Sequence, residues 1–547
     1  MAPAIGPAIS DSVLPAFETA FTRQAMAGWK LWLLVIGGAL LLRLAFYTGY
    51  FGSDEVTYTL AAFDLLRGNW TVPQYVGANR YGVNLPVAGF ALLFGQNEFA
   101  AAVYSMACSL AEIAIVFHFG QQMLGRRAGF FAAAIMASLP IHVHYAGRLM
   151  ADAPLALAMT ASFLFFWAGE NRNRSALFVW AGLAAGCVFW IKPHAMLYLV
   201  VFAAYPIVFR RWNRRWLWVF AGLATAVLAN LALLWFLTGH PLFIFDVLRN
   251  RQTSGYLESG AAAGSILDSP LFYVIYFFAK IYHTWLLAYL ALLAVVLWRV
   301  SSRGMAVSKT QGVKYLIWWS FGLVAVFSLF VVSLRPLLFV PKQANYMLMF
   351  VAPLALLAGH ALAQFGGIRL WVAAMLIFVP SILLSGMQQS LVRVFTANSK
   401  ATLEFARSHA DSRVFVNTNA ARAVTFENLV NPTMPVTNVQ SIGDLKAAPG
   451  TPVRGNDRRY AIIDTETLSW GTDEPITSLA AVPACWVKAG VLRPGETGFG
   501  TRMLSALRPL AVLLPSALRN AVEHKLDGLT RPAAAYIFEV PATGCAI

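Results

Sequence analysis

The chain has 547 residues, of which 59% are hydrophobic and only 12% charged, and its net charge is +16. A charged share near half of the ~25% usual in soluble domains excludes a water-soluble globule over most of the length and indicates a polytopic α-helical membrane protein. The basic residues stand in short clusters between apolar segments rather than along one face or tail, which argues against a nucleic-acid partner and for membrane topology.

From the amino terminus, residues 1–28 are expected in the cytoplasm, with no cleavable signal peptide and the first apolar helix acting as signal anchor. Apolar segments at 31–51, 99–123, 128–146, 153–169, 175–191, 195–209, 216–237, 271–298, 315–334, 343–364 and 368–386 give about eleven spans. Placing the clusters Arg126-Arg127, Arg172 with Arg174, Arg210 to Arg215, Arg299 to Lys314 and Arg369 in the cytoplasm makes the path self-consistent, with the carboxy terminus outside. The stretch Leu85 to Gly95 is too short to span and reads as an interfacial helix. Residues 29–390 thus form a transmembrane domain. Residues 391–547 turn polar, with strand-like RVFVNT, YAIID and AAYIFEV, and read as an extracytoplasmic α/β domain. Within it, Met503 to Leu526, broken by Pro509 and Pro515, packs under the sheet or lies on the bilayer, with a slight preference for the bilayer.

The first outer loop carries adjacent carboxylates, Asp54 and Glu55, directly after an apolar helix. Ser53 is expected to cap a helix that presents Val56, Leu60 and Phe63 on one side, and an acid pair there suits catalysis on a lipid-linked substrate. Acidic residues also favour any helix amino terminus through its dipole. A second outward segment, residues 140–160, sets Arg148 and Asp152 four apart, so that on a helix they share a face, as a site or as a simple ion pair. His142 and His144, two apart, face different directions on a helix and suit interface packing better than metal binding.

Lys192 ends an outward-running apolar segment at Lys-Pro-His, where a lysine is either functional or a snorkelling anchor. Lys342 and Tyr346, four apart at the outer start of another span, are a weaker candidate pair for phosphate oxygens. The long connection Thr238 to Pro270, with Arg249, Arg251 and ESGAAAGS, reads as a substrate loop or as disorder. Cys108 and Cys187 lie in apolar spans. Cys485 and Cys545 share the outer domain, where an oxidising compartment permits a disulfide between them. Neither a structural zinc spacing nor a nucleotide-binding glycine motif is present.

The order of a helix ending in RLAFY, the loop SDEVTYTLAAFDLLRGNW, then GRRAGFFAAAIMASLP, MADAPLALAMTASFLFF, GLAAGCVFWIKPHAML and NYMLMFVAPLALLAG resembles the GT-C-type glycosyltransferases. It is most similar to the branch of the protein O-mannosyltransferases and the aminoarabinose transferases that modify lipid A, over roughly residues 29 to 386. The resemblance implies a sugar donor on a polyprenyl phosphate, an acceptor that is a lipid, glycan or protein, and inversion at the sugar carbon.

By the same resemblance Asp54 is the general base, Glu55 a neighbouring site residue and Asp152 the second acid that orients the acceptor or supports the base. Lys192, Arg148, Lys342 and Tyr346 would bind the donor phosphate. Tyr58, Arg80, Asn84, Arg249 and Arg251 would contact substrate. Members of the aminoarabinose branch commonly carry a lysine with an acidic neighbour in the second interfacial segment, whereas this chain has RYGVNLPVAGF, with Arg80 and Asn84 nearby. No cofactor is required on this reading, although a loosely held divalent cation beside Asp54 and Glu55 stays open. The implied location is a bacterial inner membrane. A transporter or flippase of a lipid-linked sugar is the main alternative, since ionisable groups at membrane depth also line transport routes. A catalytically silent scaffold displaying the outer domain is the third.

Overall fold

The computed structural model describes residues 13–72, 76–249, 269–301, 307–334, 337–447, 458–468, 475–492, 494 and 498–541. Each of the eleven apolar segments contains helix. Among the described residues seven helices are long and apolar enough to cross a membrane, beginning with α1 (Val13–Ala45), which qualifies over Gly28–Ala45. The chain then passes through α2 (Asp54–Leu66), α3 (Tyr81–Phe94), α4 (Glu98–Leu124), α5 (Arg126–Ser138), α6 (Pro140–Ala146), α7 (Asp152–Arg172), α8 (Ser175–Ile191), α9 (Leu199–Phe209) and α10 (Leu217–Thr238). After α11 (Phe243–Val247) come α12 (Phe272–Phe278), α13 (Leu287–Ser301), α14 (Val307–Leu329), α15 (Leu348–Ala363) and α16 (Gly367–Ser408).

Two of the expected spans are broken. The segment 128–146 is α5 and α6 bent by 60°, an eighth crossing if taken together. Its break falls at Leu139, held extended ahead of Pro140, which starts the new helix without losing a needed donor. The segment 271–298 is likewise divided between α12 and α13. The first span ends at Ala45 rather than 51, and Tyr47 to Gly52 form an irregular link on which the site depends.

Without a hydrophobic drive between helices in lipid, small residues decide which backbones approach. Gly182 and Gly186 are four apart on α8 and lie against Gly222 and Ala226 of α10; a Cβ on Gly182 would run into the Val219 carbonyl. Gly82 of α3 packs against the end of α8, where an added Cβ would stand 2.9 Å from Trp190 Cβ. That approach brings the start of α3 beside Lys192.

The expected boundary at 390/391 falls inside α16, a single 42-residue helix. Its length is about 63 Å. The turn to polar composition that suggested a boundary comes from side chains buried with partners: Gln389 donates to the Ala45 and Tyr47 carbonyls, Ser390 to Leu529, and Asn398 to Asp464 and Ala533. Beyond α16 a five-stranded sheet has the order β4-β3-β5-β7-β6, in which β3 (Arg413–Val416) runs parallel to β4 (Val439–Ser441) and β5 (Arg459–Asp464). Strand β7 (Ala535–Glu539) pairs antiparallel with β5 and with β6 (Val487–Leu492). A hairpin, β1 (Val331–Leu334) and β2 (Leu337–Phe339), precedes α15.

Alternation along β3 and β5 sends Val414, Val416 and Ile462 into the main core and Phe415, Ala461 and Ile463 into a second one. Helix α17 (Thr418–Val430) follows β3, and the short α18 (Asp444–Ala447) follows β4. The segment around Pro509 and Pro515 forms α19 (Phe499–Leu507) and α20 (Ser516–Thr530). It packs on α16, with Met503 against Gly386, and leaves Phe499, Leu510, Val512, Leu513 and Leu518 exposed. Cys108 and Cys187 are free thiols and Cys485 is disulfide-bonded; Cys545 lies outside the described residues.

Candidate active site

Helix ends, rather than helix middles, supply the charged groups. Asp54 opens α2, Arg80 caps α3, Asp152 opens α7, Lys192 follows the last residue of α8, and Asn345 and Tyr346 stand in the turn that leads into α15. Lys192 Nζ donates to Asp152 Oδ1 at 2.6 Å, while Asn345 Nδ2 donates to Asp152 Oδ2 at 3.1 Å. All three side chains are buried. The Lys192 ammonium also lies 4.5 Å from the centre of the Tyr346 ring, whose hydroxyl meets His194 Nε2 at 3.4 Å. Asp54 and Arg80 are close enough for their charges to act on both Lys192 and Tyr346. Asp54 itself is only partly buried.

Arg80 donates to the Tyr58 hydroxyl and lies with its guanidinium 5.5 Å from the Tyr58 ring centre. Asn84 Nδ2 donates to the Ala78 carbonyl at 2.7 Å. Two further polar atoms, Arg80 Nε and Asn84 Oδ1, are buried with no partner among the described residues. Since buried polar atoms are normally paired, these two retain hydrogen-bonding capacity that a bound molecule or water can use.

Glu55 and Arg148 belong to a different pair. Arg148 is not helical with Asp152, because residues 147–151 are the link between α6 and α7, so the four-residue spacing does not bring them together. Instead Arg148 donates to Glu55 Oε1 from Nε at 2.9 Å and from a terminal nitrogen at 2.7 Å, and its guanidinium stacks 4.3 Å from the Phe51 ring centre. Glu55 Oε2 accepts from the Ser53 backbone N–H at 3.0 Å, whereas the Ser53 side chain makes no cap. The buried side of α2 is accordingly Glu55, Tyr58, Thr59, Ala62 and Phe63, and Leu60 is exposed. Glu55 and Arg148 hold the loop that presents Asp54.

No sequence signal pointed to the outer domain's part in this loop. Arg422 of α17 donates to the Gly52 carbonyl at 3.2 Å, and the Tyr50 hydroxyl donates to the Asn419 carbonyl at 3.3 Å. Burial, with the charge of Glu55 second, pushes the Tyr50 phenol well above its ordinary value and keeps that donor protonated. Gly52 has φ +104, and a Cβ there would collide with Asn419 Oδ1. Only glycine fits this close approach two residues before Asp54.

The other sequence candidates lie elsewhere. Lys342 is buried, donating to the Val340 carbonyl at 3.2 Å with its ammonium 5.1 Å from the Phe339 ring centre. Arg249 is exposed after α11, while Arg251 and residues 250–268 of the long connection lie outside the described residues. His142 meets Glu112 Oε2 at 3.0 Å and, through its other nitrogen, Arg43 at 2.7 Å and Ser109 at 3.0 Å. His144 contacts Arg148 at 3.3 Å. Asn345 and His194 were missed in the sequence. Each adjoins a residue that was singled out, Tyr346 and Lys192 with its following proline, and adjacency was their only signal.

Residues 82–236 match the family model described as dolichyl-phosphate-mannose-protein mannosyltransferase. Over 357 residues the chain is 27% identical to undecaprenyl phosphate-alpha-4-amino-4-deoxy-L-arabinose arabinosyl transferase 2 of Pseudomonas fluorescens, covering 61% of this chain and 60% of that one. Over 226 residues it is 26% identical to the arabinosyl transferase of the same description from Pseudomonas paraeruginosa, covering 39% and 40%. The matched stretches therefore span about two fifths to three fifths of these curated relatives. The structure superposes on ArnT from Cupriavidus metallidurans bound to undecaprenyl phosphate with a TM-score of 0.54 and 14% identity, covering 81% of this chain and 94% of that one. The chain thus has the fold of a GT-C membrane glycosyltransferase and resembles the aminoarabinose and mannosyltransferase branch. The two Pseudomonas relatives are transferases by name, and the transport alternative draws no support from them.

Proposed function

We propose that the protein is a membrane glycosyltransferase that moves a sugar from a polyprenyl phosphate to a hydroxyl or phosphate of a lipid, glycan or protein acceptor. The observation that carries this reading is the gathering of Asp54, Arg80, Asp152 and Lys192 at one end of an apolar bundle. Such a position suits a donor whose chain lies in the bilayer and whose phosphate and sugar stand at its surface. With the basic clusters inside, that surface is the outer face of a bacterial inner membrane and the amino terminus is cytoplasmic.

In the proposed step Asp54 accepts the proton of the acceptor oxygen as that oxygen attacks the anomeric carbon. The bond from this carbon to the donor phosphate breaks, its electron pair leaves on the polyprenyl phosphate, and a single displacement inverts the centre. Lys192 and Arg80 stabilise the departing phosphate, which is a good leaving group without a general acid. Asp152, fixed by Asn345, holds the Lys192 ammonium in place. No metal is needed in this scheme, because the two cations meet the charge that develops.

Curated relatives act, by name, with an undecaprenyl phosphate aminoarabinose donor, so this donor is the first to assay. Mass analysis of envelope lipids, glycans and proteins from cells that carry the wild type, Asp54→Asn or no protein identifies the acceptor. A sugar modification present only with the wild type is expected. The same modification with Asp54→Asn at wild-type level removes the proposed base, and no difference between cells with and without the protein removes the transferase reading.

A further inference from the structure

Toward the end of the bundle remote from Asp54, the carboxy-terminal parts of α7 and α13, the length of α9 and most of α14 line a cavity of about 780 Å³. Its outer wall includes Val200 and Val208 of the short apolar helix α9 and Phe321 of α14, which is long and apolar enough to cross a membrane; all three are exposed apolar side chains. Its polar part is rich in donors. Arg211, Arg299 and Lys314 line it with exposed side chains, and none of the three forms an ion pair with a carboxylate among the described residues. Trp298 and Trp318 also line it, 9% and 8% exposed, and the indole N–H of each is buried with no partner among the described residues.

An indole nitrogen donates and never accepts, so each of these tryptophans keeps an unused donor in the cavity wall. The one acid in the lining, Glu170, already accepts from the Trp216 indole at 2.5 Å and from Asn213 at 3.3 Å. Apolar walls open to lipid, surplus positive charge and orphaned donors together describe a ligand with a hydrocarbon chain, a negative charge and several acceptor oxygens.

We propose that this cavity binds one anionic phospholipid from the leaflet opposite the reaction site. Its phosphate lies among Arg211, Arg299 and Lys314, its phosphate or ester oxygens accept from Trp298 and Trp318, and an acyl chain follows Val200, Val208 and Phe321. Charge complementarity selects this occupant over a zwitterionic lipid, whose own ammonium would meet the three cations. The cavity shares no residue with the transferase site, so the proposal stands independently of the sugar or acceptor used.

The test is native mass spectrometry of the delipidated full-length protein titrated with phosphatidylglycerol and, separately, phosphatidylethanolamine of the same acyl chains. One phosphatidylglycerol is expected to bind at least about tenfold more tightly than phosphatidylethanolamine. Arg299→Gln with Lys314→Gln should abolish this preference, Arg299→Lys with Lys314→Arg should retain it, and Trp318→Phe should weaken binding of phosphatidylglycerol. Equal binding of the two lipids by the wild type, or an unchanged preference in the double glutamine variant, overturns the proposal. Displacement of phosphatidylglycerol by millimolar inorganic phosphate assigns the site to a free anion, and displacement by equimolar undecaprenyl phosphate assigns it to the carrier; either result also overturns it.

Discussion

Two buried charge clusters in the membrane domain differ in how completely they are satisfied. Around His142, both nitrogens of the ring and both oxygens of Glu112 are used: Glu112 takes His142 on one oxygen and Thr160 on the other at 2.8 Å. Arg43, fully buried, donates to Ser109, to the Ala39 and Ala137 carbonyls and to His142. At the outer cluster Lys192 and Asp152 are paired, yet Arg80 Nε and Asn84 Oδ1 have no partner among the described residues, and Asp54 is only partly buried. A closed network fixes helices against one another, whereas a network with spare donors and acceptors is built around something else. Similar buried charges thus serve opposite ends.

The largest separation between the clusters is expected from Asp54→Asn, which keeps shape and removes the base. Turnover should fall by roughly 10²-fold or more while the melting temperature stays near that of the wild type. Turnover close to wild type in the purified variant would take Asp54 out of the chemistry and leave both clusters structural. Glu112→Ala should do the reverse, leaving Arg43 and His142 without their acid and costing roughly 3–5 kcal/mol of stability. A thermal-shift series in detergent reads this loss; an unchanged melting temperature would show that the closed network contributes little.

Lys192→Met is a sharper probe of the open cluster, since it preserves most of the stem while removing the cation. Affinity for the polyprenyl donor is expected to drop by about tenfold, the scale of one hydrogen-bonded charge, with acceptor affinity unchanged. Equal donor binding by variant and wild type would reduce Lys192 to a partner that merely holds Asp152. The smallest effect is expected from Arg422→Ala in the outer domain, which releases the Gly52 carbonyl. Loss of that hydrogen bond is worth about 1 kcal/mol, so kcat should fall by roughly fivefold with donor affinity intact. No change in kcat would mean that the Tyr50–Asn419 and Glu55–Arg148 contacts hold the loop without Arg422.

Much of the membrane path was legible because apolar length and basic clusters are one-dimensional signals. Asp54, Asp152 and Lys192 were legible for a related reason: charged residues beside or within apolar runs stand out against their surroundings. The pairings were not. A four-residue spacing joins Arg148 to Asp152 only on a continuous helix, and the non-helical link between them voids that spacing and gives Arg148 to Glu55, 93 positions away. The spacing of Val56, Leu60 and Phe63 did not show which side of α2 packs into the protein: Glu55, Tyr58, Thr59, Ala62 and Phe63 are buried there, against Arg148 and Arg80 on other segments, and Leu60 is exposed.

Sequence alone therefore determined the membrane class, the helical segments, the polar carboxy-terminal region with strands at β3, β5 and β7, and which charges stand beside or within apolar runs. Tertiary structure decided which charge meets which, that one continuous helix joins the bundle to the outer sheet, and that α17 grips the loop before Asp54. The physical reason is range. Hydropathy and propensity act between near neighbours, so a sequence displays them directly; ion pairs and tertiary hydrogen bonds join residues up to 370 positions apart, as between Gly52 and Arg422, and exist only after helices have packed.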